Sequence, residues 1–306
     1  MQISVASSSL IAVPIIEAIL ASEHTLASVI TTPDKKAGRG QKETATPLAM
    51  WSEERGYLVA KPFDTPSLNQ HLLAAQPQLI ITASYGRMIP VEVLHGPRFG
   101  WLNVHFSLLP RWRGAAPVQW ALLEGDPVTG ISIFKLDKGM DTGPVYMQEE
   151  VEIGSNDTTD ILLERMSILA GNRIMGVVEG IRKGEKPKAQ STNGITLAPK
   201  ISKEMAKIEW KDGADSILRK IRALGDRPGV WCNFRDERLA LHGLEESLLP
   251  NSLKKPGELQ IVEGNLLVRC GDSVLTVTEL TPAGKKRMSG GDFARGARLT
   301  AGERFE

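Results

Sequence analysis

From Ile3 to Arg182 the chain alternates short, β-branched apolar runs with stretches of helical period, and this alternation narrows the fold more than any other feature. The runs ISVA (3–6), LASVITT (26–32), PQLIITAS (77–84), GWLNVH (100–105) and GISIFKL (130–136) read as strands. Helices are expected over Leu10 to Ala21, Pro47 to Arg55, Ser67 to Ala75 and Ala116 to Leu123. Strands spaced by helices in this way imply βαβ units and a mostly parallel sheet. In such a sheet a functional crevice lies beyond the carboxyl ends of the strands. VYMQEEVEI (145–153) and a long helix, from Thr158 to Arg182, close this region.

At 306 residues the chain is too long for one small domain. The stretch RKGEKPKAQSTNGI (182–195) is basic and polar, has no apolar period, and reads as a linker. Beyond residue 205 a helix (Ala214 to Arg222) precedes the strand-like runs VWCNF (230–234), RLALHGL (238–244), ELQIVEG (258–264), LLVRC (266–270) and SVLTVTEL (273–280). Many short strands in so short a span point to a small β-barrel of OB type. The expected organisation is α/β: a Rossmann-like, mostly parallel sheet domain over 1–182, a linker over 183–204, and a smaller OB-like β-barrel over 205–306.

Several classes are disfavoured. The formal net charge is +1, so any RNA-binding surface must come from local clusters. Cys232 and Cys270 lie far apart and form no CxxC pattern, which argues against a disulfide framework and a thiolate zinc site. The apolar N-terminus lacks a basic leader and is interrupted by Ser7, Ser8, Ser9, Pro14 and Glu17. It reads as a first strand, a turn and a helix instead of a signal peptide. No other run is long enough to span a bilayer. A cytoplasmic, monomeric protein is expected. No GxGxxG follows the first strand, which disfavours a dinucleotide-dependent oxidoreductase.

The stretch Asn103-Val104-His105-Phe106-Ser107-Leu108-Leu109-Pro110 carries the clearest chemistry. Asn103 and His105 are two apart on an expected strand, so their side chains share a face that Val104 avoids. Downstream, LDKGMDTGP (136–144) is a Gly- and Asp-rich loop able to return Asp141 over the same edge. An amide, an imidazole and a carboxylate suit acyl transfer to an amine. Two groups are available to stabilise a tetrahedral oxyanion and one to orient the imidazole and help move a proton. Such a step requires no metal. Each residue also has a plainer reading: a packing histidine, a turn aspartate, an apolar turn leading into a loop.

NVHFSLLPRWRGAAPVQWALLEGD (103–126) and IFKLDKGMDTGPV (133–145) resemble the two catalytic segments of the folate-dependent formyltransferases. The resemblance implies that Asn103, His105 and Asp141 are catalytic, and that Ser107, Leu108, Leu109 and Pro110 line the site of 10-formyltetrahydrofolate. TTPDKKAGRGQKETATP (31–47) resembles an insertion loop of the branch that formylates methionyl initiator tRNA, with Lys35, Lys36, Arg39 and Lys42 placed for phosphates. KISKEMAKIEW (200–210) and LTPAGKKRMSGGDFARG (280–296) resemble that branch's C-terminal domain, where Lys285, Lys286 and Arg287 form a second basic cluster. Reduced folate and methionyl initiator tRNA are thus the expected partners. The sequence departs from the family at one point, carrying Ala6-Ser7-Ser8-Ser9 where a Gly-Thr-Pro turn is usual. Two rivals remain: a formyltransferase acting on an amino sugar nucleotide, and an RNA-binding module without catalysis.

Overall fold

A computed structural model describes residues 1–37 and 42–306. The chain forms two compact units. The first comprises residues 1–118, 127–153 and 160–199, and the second residues 119–126, 154–159 and 200–306.

The first unit is built on a seven-stranded sheet. Its strands are β1 (Gln2–Ala6), β2 (Thr25–Ile30), β3 (Val59–Ala60), β4 (Leu79–Thr82), β5 (Trp101–His105), β6 (Val128–Lys135) and β7 (Val145–Glu152). They lie in the order β7-β6-β5-β4-β1-β2-β3. The five strands from β3 to β5 run parallel, and β6 and β7 extend the sheet as an antiparallel pair. The apolar runs of the parallel strands follow from burial on both faces: Ile3, Val5, Val29, Ile30, Ile80 and Ile81 are all inaccessible to solvent. The polar groups buried among them are paired, Ser4 to Ser28 at 2.8 Å and Ser28 to His71 Nε2 at 2.8 Å.

The helix Thr159–Arg182 turns one stripe inward. Leu162, Met166, Ala170, Ile174 and Val178 recur every fourth residue, and all are fully buried. Its backbone comes close to the start of the Val13–Leu20 helix, where a Cβ on Gly171 would lie 2.7 Å from the Pro14 ring.

The second unit carries β8 (Val230–Phe234), β9 (Glu237–Glu246), β10 (Leu259–Val262), β11 (Asn265–Arg269) and β12 (Val274–Thr281). These antiparallel strands lie in the order β8-β9-β12-β11-β10. The last four residues run between the two edge strands. Glu306 exchanges backbone hydrogen bonds with Asn233 of β8, while Glu303 O accepts from Leu259 N of β10 and Phe305 N donates to Gly257 O. Phe305 stacks with Trp210 at 5.6 Å and meets Phe234 edge-on at 5.8 Å, which anchors that tail in the core. The helix Gly290–Ala297 is not legible from its two leading glycines. It forms because Ser289 accepts the Asp292 N–H as an N-cap and because Phe293 and Ala294 are buried.

Residues up to Pro199 group with the first unit, although 183–204 reads as a linker. Lys188 bridges Val145, and Leu197–Ala198 pairs in parallel with Arg113–Gly114. A polar segment without apolar period can still be ordered through its backbone, a contribution that periodicity does not register.

Candidate active site

β5 ends in Asn103, Val104 and His105, and the intervening Val104 is buried on the opposite face. Thr82 Oγ1 at the end of β4 lies 2.7 Å from Asn103 Oδ1 and 3.0 Å from the Leu102 carbonyl oxygen, sharing its one hydrogen between them. The amide oxygen of Asn103 is thereby anchored, and its nitrogen carries the donors left for other work.

His105 is almost wholly buried. Its Nε2 donates to the Trp112 carbonyl at 2.8 Å. A carbonyl only accepts, so this bond sets the tautomer and leaves Nδ1 bare when the ring is neutral. Nδ1 faces Asp141 Oδ2 at 3.8 Å. Burial pushes the imidazole below its ordinary value; the Asp141 carboxylate and the Trp112 carbonyl oppose that shift. The resting ring is therefore neutral near pH 7, and Asp141 stands ready to stabilise the ring once it takes a proton.

Asp141 reaches this position from the loop between β6 and β7. Asp137 Oδ1 shapes the loop by accepting the Gly139 N–H at 2.9 Å and the Thr142 hydroxyl at 2.7 Å. Asp141 holds a left-handed φ of 53°, which costs a side-chained residue about 1 kcal/mol or more. Its Oδ2 accepts the Gly114 N–H at 2.8 Å. Gly114 has φ 129°, and a Cβ there would lie 2.6 Å from the Ala198 carbonyl oxygen. Gly114→Ala is accordingly expected to destabilise the fold by about 1–3 kcal/mol. Thermal unfolding checks this, and an unchanged Tm would contradict it.

Ser107 to Pro110 follow directly. Ser107 is buried, and its hydroxyl donates to the Arg111 carbonyl at 2.6 Å. Ser132 Oγ accepts from Leu109 N and donates to Ser107 O, while Gln148 Nε2 donates to Leu109 O. The strip is fixed against β6 and β7 by its backbone. Leu108 and Pro110 are half-buried, whereas Leu109 is buried. Ser132, Gln148, Thr82 and Trp112 are not legible in the sequence. Nothing in their local pattern marks them, because each acts across the sheet or through a backbone oxygen.

The serine turn that departs from the family closes on its own hydrogen bonds. Ser7 N donates to Ile30 O at 2.9 Å, Ser8 Oγ donates to Tyr85 O at 3.2 Å and meets Thr32 Oγ1 at 3.0 Å, and Ser9 caps the next turn by accepting the Ile11 N–H. Ser9 is extended, with φ −121°, and no serine of this turn is among the positive-φ residues described. A glycine is not demanded by the backbone there.

Of the basic residues, Lys35, Lys36 and Lys42 are exposed on a short antiparallel strand pair, Lys35–Ala37 against Lys42–Thr44, with Lys36 opposite Glu43. Arg39 lies outside the described residues. Lys285, Lys286 and Arg287 are exposed on the second unit; Arg287 pairs with Glu279, and Lys285 rims a cleft of about 500 Å³ floored by Leu239, Met288 and Phe293. Among the described residues, Glu23, His24 and Glu179 come within metal-binding reach of one another. There His24 Nε2 lies 3.0 Å from Glu179, which Arg182 also pairs at 2.6 Å, so the group reads as an ion-pair knot.

Residues 1–178 match the family model described as formyl transferase, and residues 200–298 the model of its C-terminal domain. A methionyl-tRNA formyltransferase of Salinispora tropica is 40% identical over 306 residues, covering 99% of each chain. Two solved structures share the fold. A HypX from Aquifex aeolicus in complex with tetrahydrofolic acid is 17% identical with TM-score 0.64; the match covers 96% of this chain and 47% of that one, just under half its length. WlaRD, a sugar 3N-formyl transferase in the presence of dTDP and 5-N-formyl-THF, is 17% identical with TM-score 0.65, covering 94% of this chain and 99% of that one.

Proposed function

The chain belongs to the formyl transferase family, and we propose that it transfers the formyl group of 10-formyltetrahydrofolate to the α-amino group of methionine on initiator tRNA, for translation initiation. The observation that carries the chemistry is the placement of His105 Nδ1 against Asp141 Oδ2, with Asn103 two residues before it on the same strand face. The acceptor follows from identity to a methionyl-tRNA formyltransferase that extends over both units. The catalytic domain is built on residues 1–182, with 183–199 packed onto it, and the C-terminal domain, 205–306, binds tRNA; the enzyme acts in the cytoplasm as a monomer.

The free amine attacks the formyl carbon, and the carbonyl oxygen becomes an oxyanion that the Asn103 amide nitrogen stabilises as a donor. The attacking nitrogen gains positive charge and loses its proton to His105 Nδ1. Asp141 stabilises the imidazolium so formed. His105 then returns that proton to the folate nitrogen as the old carbon–nitrogen bond breaks and the new amide remains. Because Trp112 holds Nε2–H throughout, Nδ1 alone shuttles the proton. Ser107, Leu108, Leu109 and Pro110 form the wall against which the folate lies. Lys35, Lys36, Arg39 and Lys42, together with Lys285, Lys286 and Arg287, meet tRNA phosphates.

The direct test is transfer of labelled formyl from 10-formyltetrahydrofolate to methionyl initiator tRNA, with methionyl elongator tRNA and an amino sugar nucleotide as competing acceptors. Selective labelling of the initiator is expected, and labelling of the sugar alone would overturn the acceptor. Charge reversal tests the loop separately. Arg39→Glu is expected to reduce kcat/KM for tRNA by about tenfold with folate KM unchanged, an effect that fades as salt rises. Equal losses for both substrates would contradict the assignment.

A further inference from the structure

We propose that Gln190 is a positioning residue for the formyl transfer, its carboxamide tying the Asp137–Gly143 loop to Arg113 so that Asp141 presents its carboxylate to His105. The proposal rests on the reading given above for the reaction.

Every hydrogen-bonding position of the Gln190 amide is used. Nε2 donates to the Asp141 carbonyl at 2.8 Å and to the Gly143 carbonyl at 2.8 Å. Oε1 accepts from Arg113 Nε at 3.1 Å and from Arg113 Nη2 at 2.7 Å. An arginine only donates and a carbonyl only accepts, so the orientation of this amide has one solution. A glutamate or a leucine at this place could not make both sets of bonds.

The two ends of Asp141 converge on one short strand. Its side chain is held by Gly114 N, and its own carbonyl is held through Gln190 by Arg113, the residue before. That strand is pinned in turn by Leu197–Ala198, on the same polar segment as Gln190. Asp141 has a left-handed backbone that persists only where its surroundings fix it. The Gln190 bond to its carbonyl is such a constraint, and it lies on the residue whose carboxylate reads His105. Gln190 bonds to the backbone carbonyl of Asp141 and acts through it.

The experiment uses the full chain with Gln190→Met, which keeps length and removes the amide, and Gln190→Glu, which keeps an oxygen for Arg113 but sets another against two carbonyls. Both are expected to lower kcat by about 10- to 100-fold with folate KM within about twofold. In both, the His105 imidazole, followed by NMR, is expected to titrate at lower pH than in the parent, because the carboxylate that raises its value is displaced. A residue that only stabilises the fold would lower Tm and leave kcat and that titration alone. Retention of kcat within twofold, or a His105 titration like the parent's, overturns the proposal. If Gln190→Met does not fold, Gln190→Glu decides by the same readings. The titration needs no turnover, so a parent chain without formyl transfer counts against the reaction, and an unmoved titration against Gln190.

Discussion

His105→Ala is expected to reduce kcat by about 10²- to 10⁴-fold, the range that a positioned proton-transfer group supplies, while the chain stays folded. The ring packs edge-on against Phe134 at 6.4 Å, so its loss also leaves a small cavity and deprives the Trp112 carbonyl of its donor. Those effects lower Tm by a few degrees, far short of unfolding a domain with this core. Asn103→Ala is expected to lose about 10²–10³ through the missing oxyanion donor. If both side chains serve one transition state, the double variant loses much less than the product of the two single losses. Single-turnover rates at saturating folate read this directly. Near-normal rates in both single variants would remove Asn103 and His105 from the chemistry, and a double variant showing the full product would mean that the two contribute independently.

The parts of the fold that sequence made legible are those with a periodic signal. β1, β2, β4, β5 and β6 fall where apolar runs predict them, because strands buried on both faces are predominantly apolar. The pairing of Asn103 with His105 was legible from alternation alone. The return of Asp141 is legible only as a possibility of a Gly-rich loop, since sequence cannot say how far along the face of β5 a nine-residue connection travels. What stayed hidden shares one cause. Gln190, Trp112 and Thr196 act through backbone oxygens and long-range hydrogen bonds, Thr196 Oγ1 accepting the Trp112 N–H at 2.9 Å. A polar residue that satisfies a distant carbonyl looks in sequence like a solvated one. The helix Gly290–Ala297 failed for a related reason: its stability lies in the Ser289 cap and in Phe293 burial, which outweigh a glycine cost of about 1 kcal/mol each.

Asp141→Asn separates the proton shuttle from the scaffold. Asparagine keeps an oxygen for the Gly114 N–H and removes the charge, so the loop is expected to persist while the imidazolium formed during the reaction loses its partner. Opposite charges 3.8 Å apart attract by about 4 kcal/mol at an effective dielectric of 20. That is an upper bound near a thousandfold in rate, and a loss of about 10²-fold in kcat is expected. The pH dependence has a defined sign. Burial already holds the folded His105 below 6.5, and Asp141 is what raises it. Without the carboxylate the value falls further, so the acid limb of kcat/KM that reports His105 moves to lower pH. Stability follows the same linkage. A base whose folded value is depressed stays neutral while the unfolded chain takes up protons below about 6.5; stability is intact above that pH and is lost as pH falls toward the folded value. A wider gap in Asp141→Asn gives a larger loss on acidification. Urea unfolding at successive pH values and the kcat/KM profile test both halves. An acid limb that moves up in pH, or acid sensitivity equal to the parent's, would mean that Asp141 does not act on His105 through its charge.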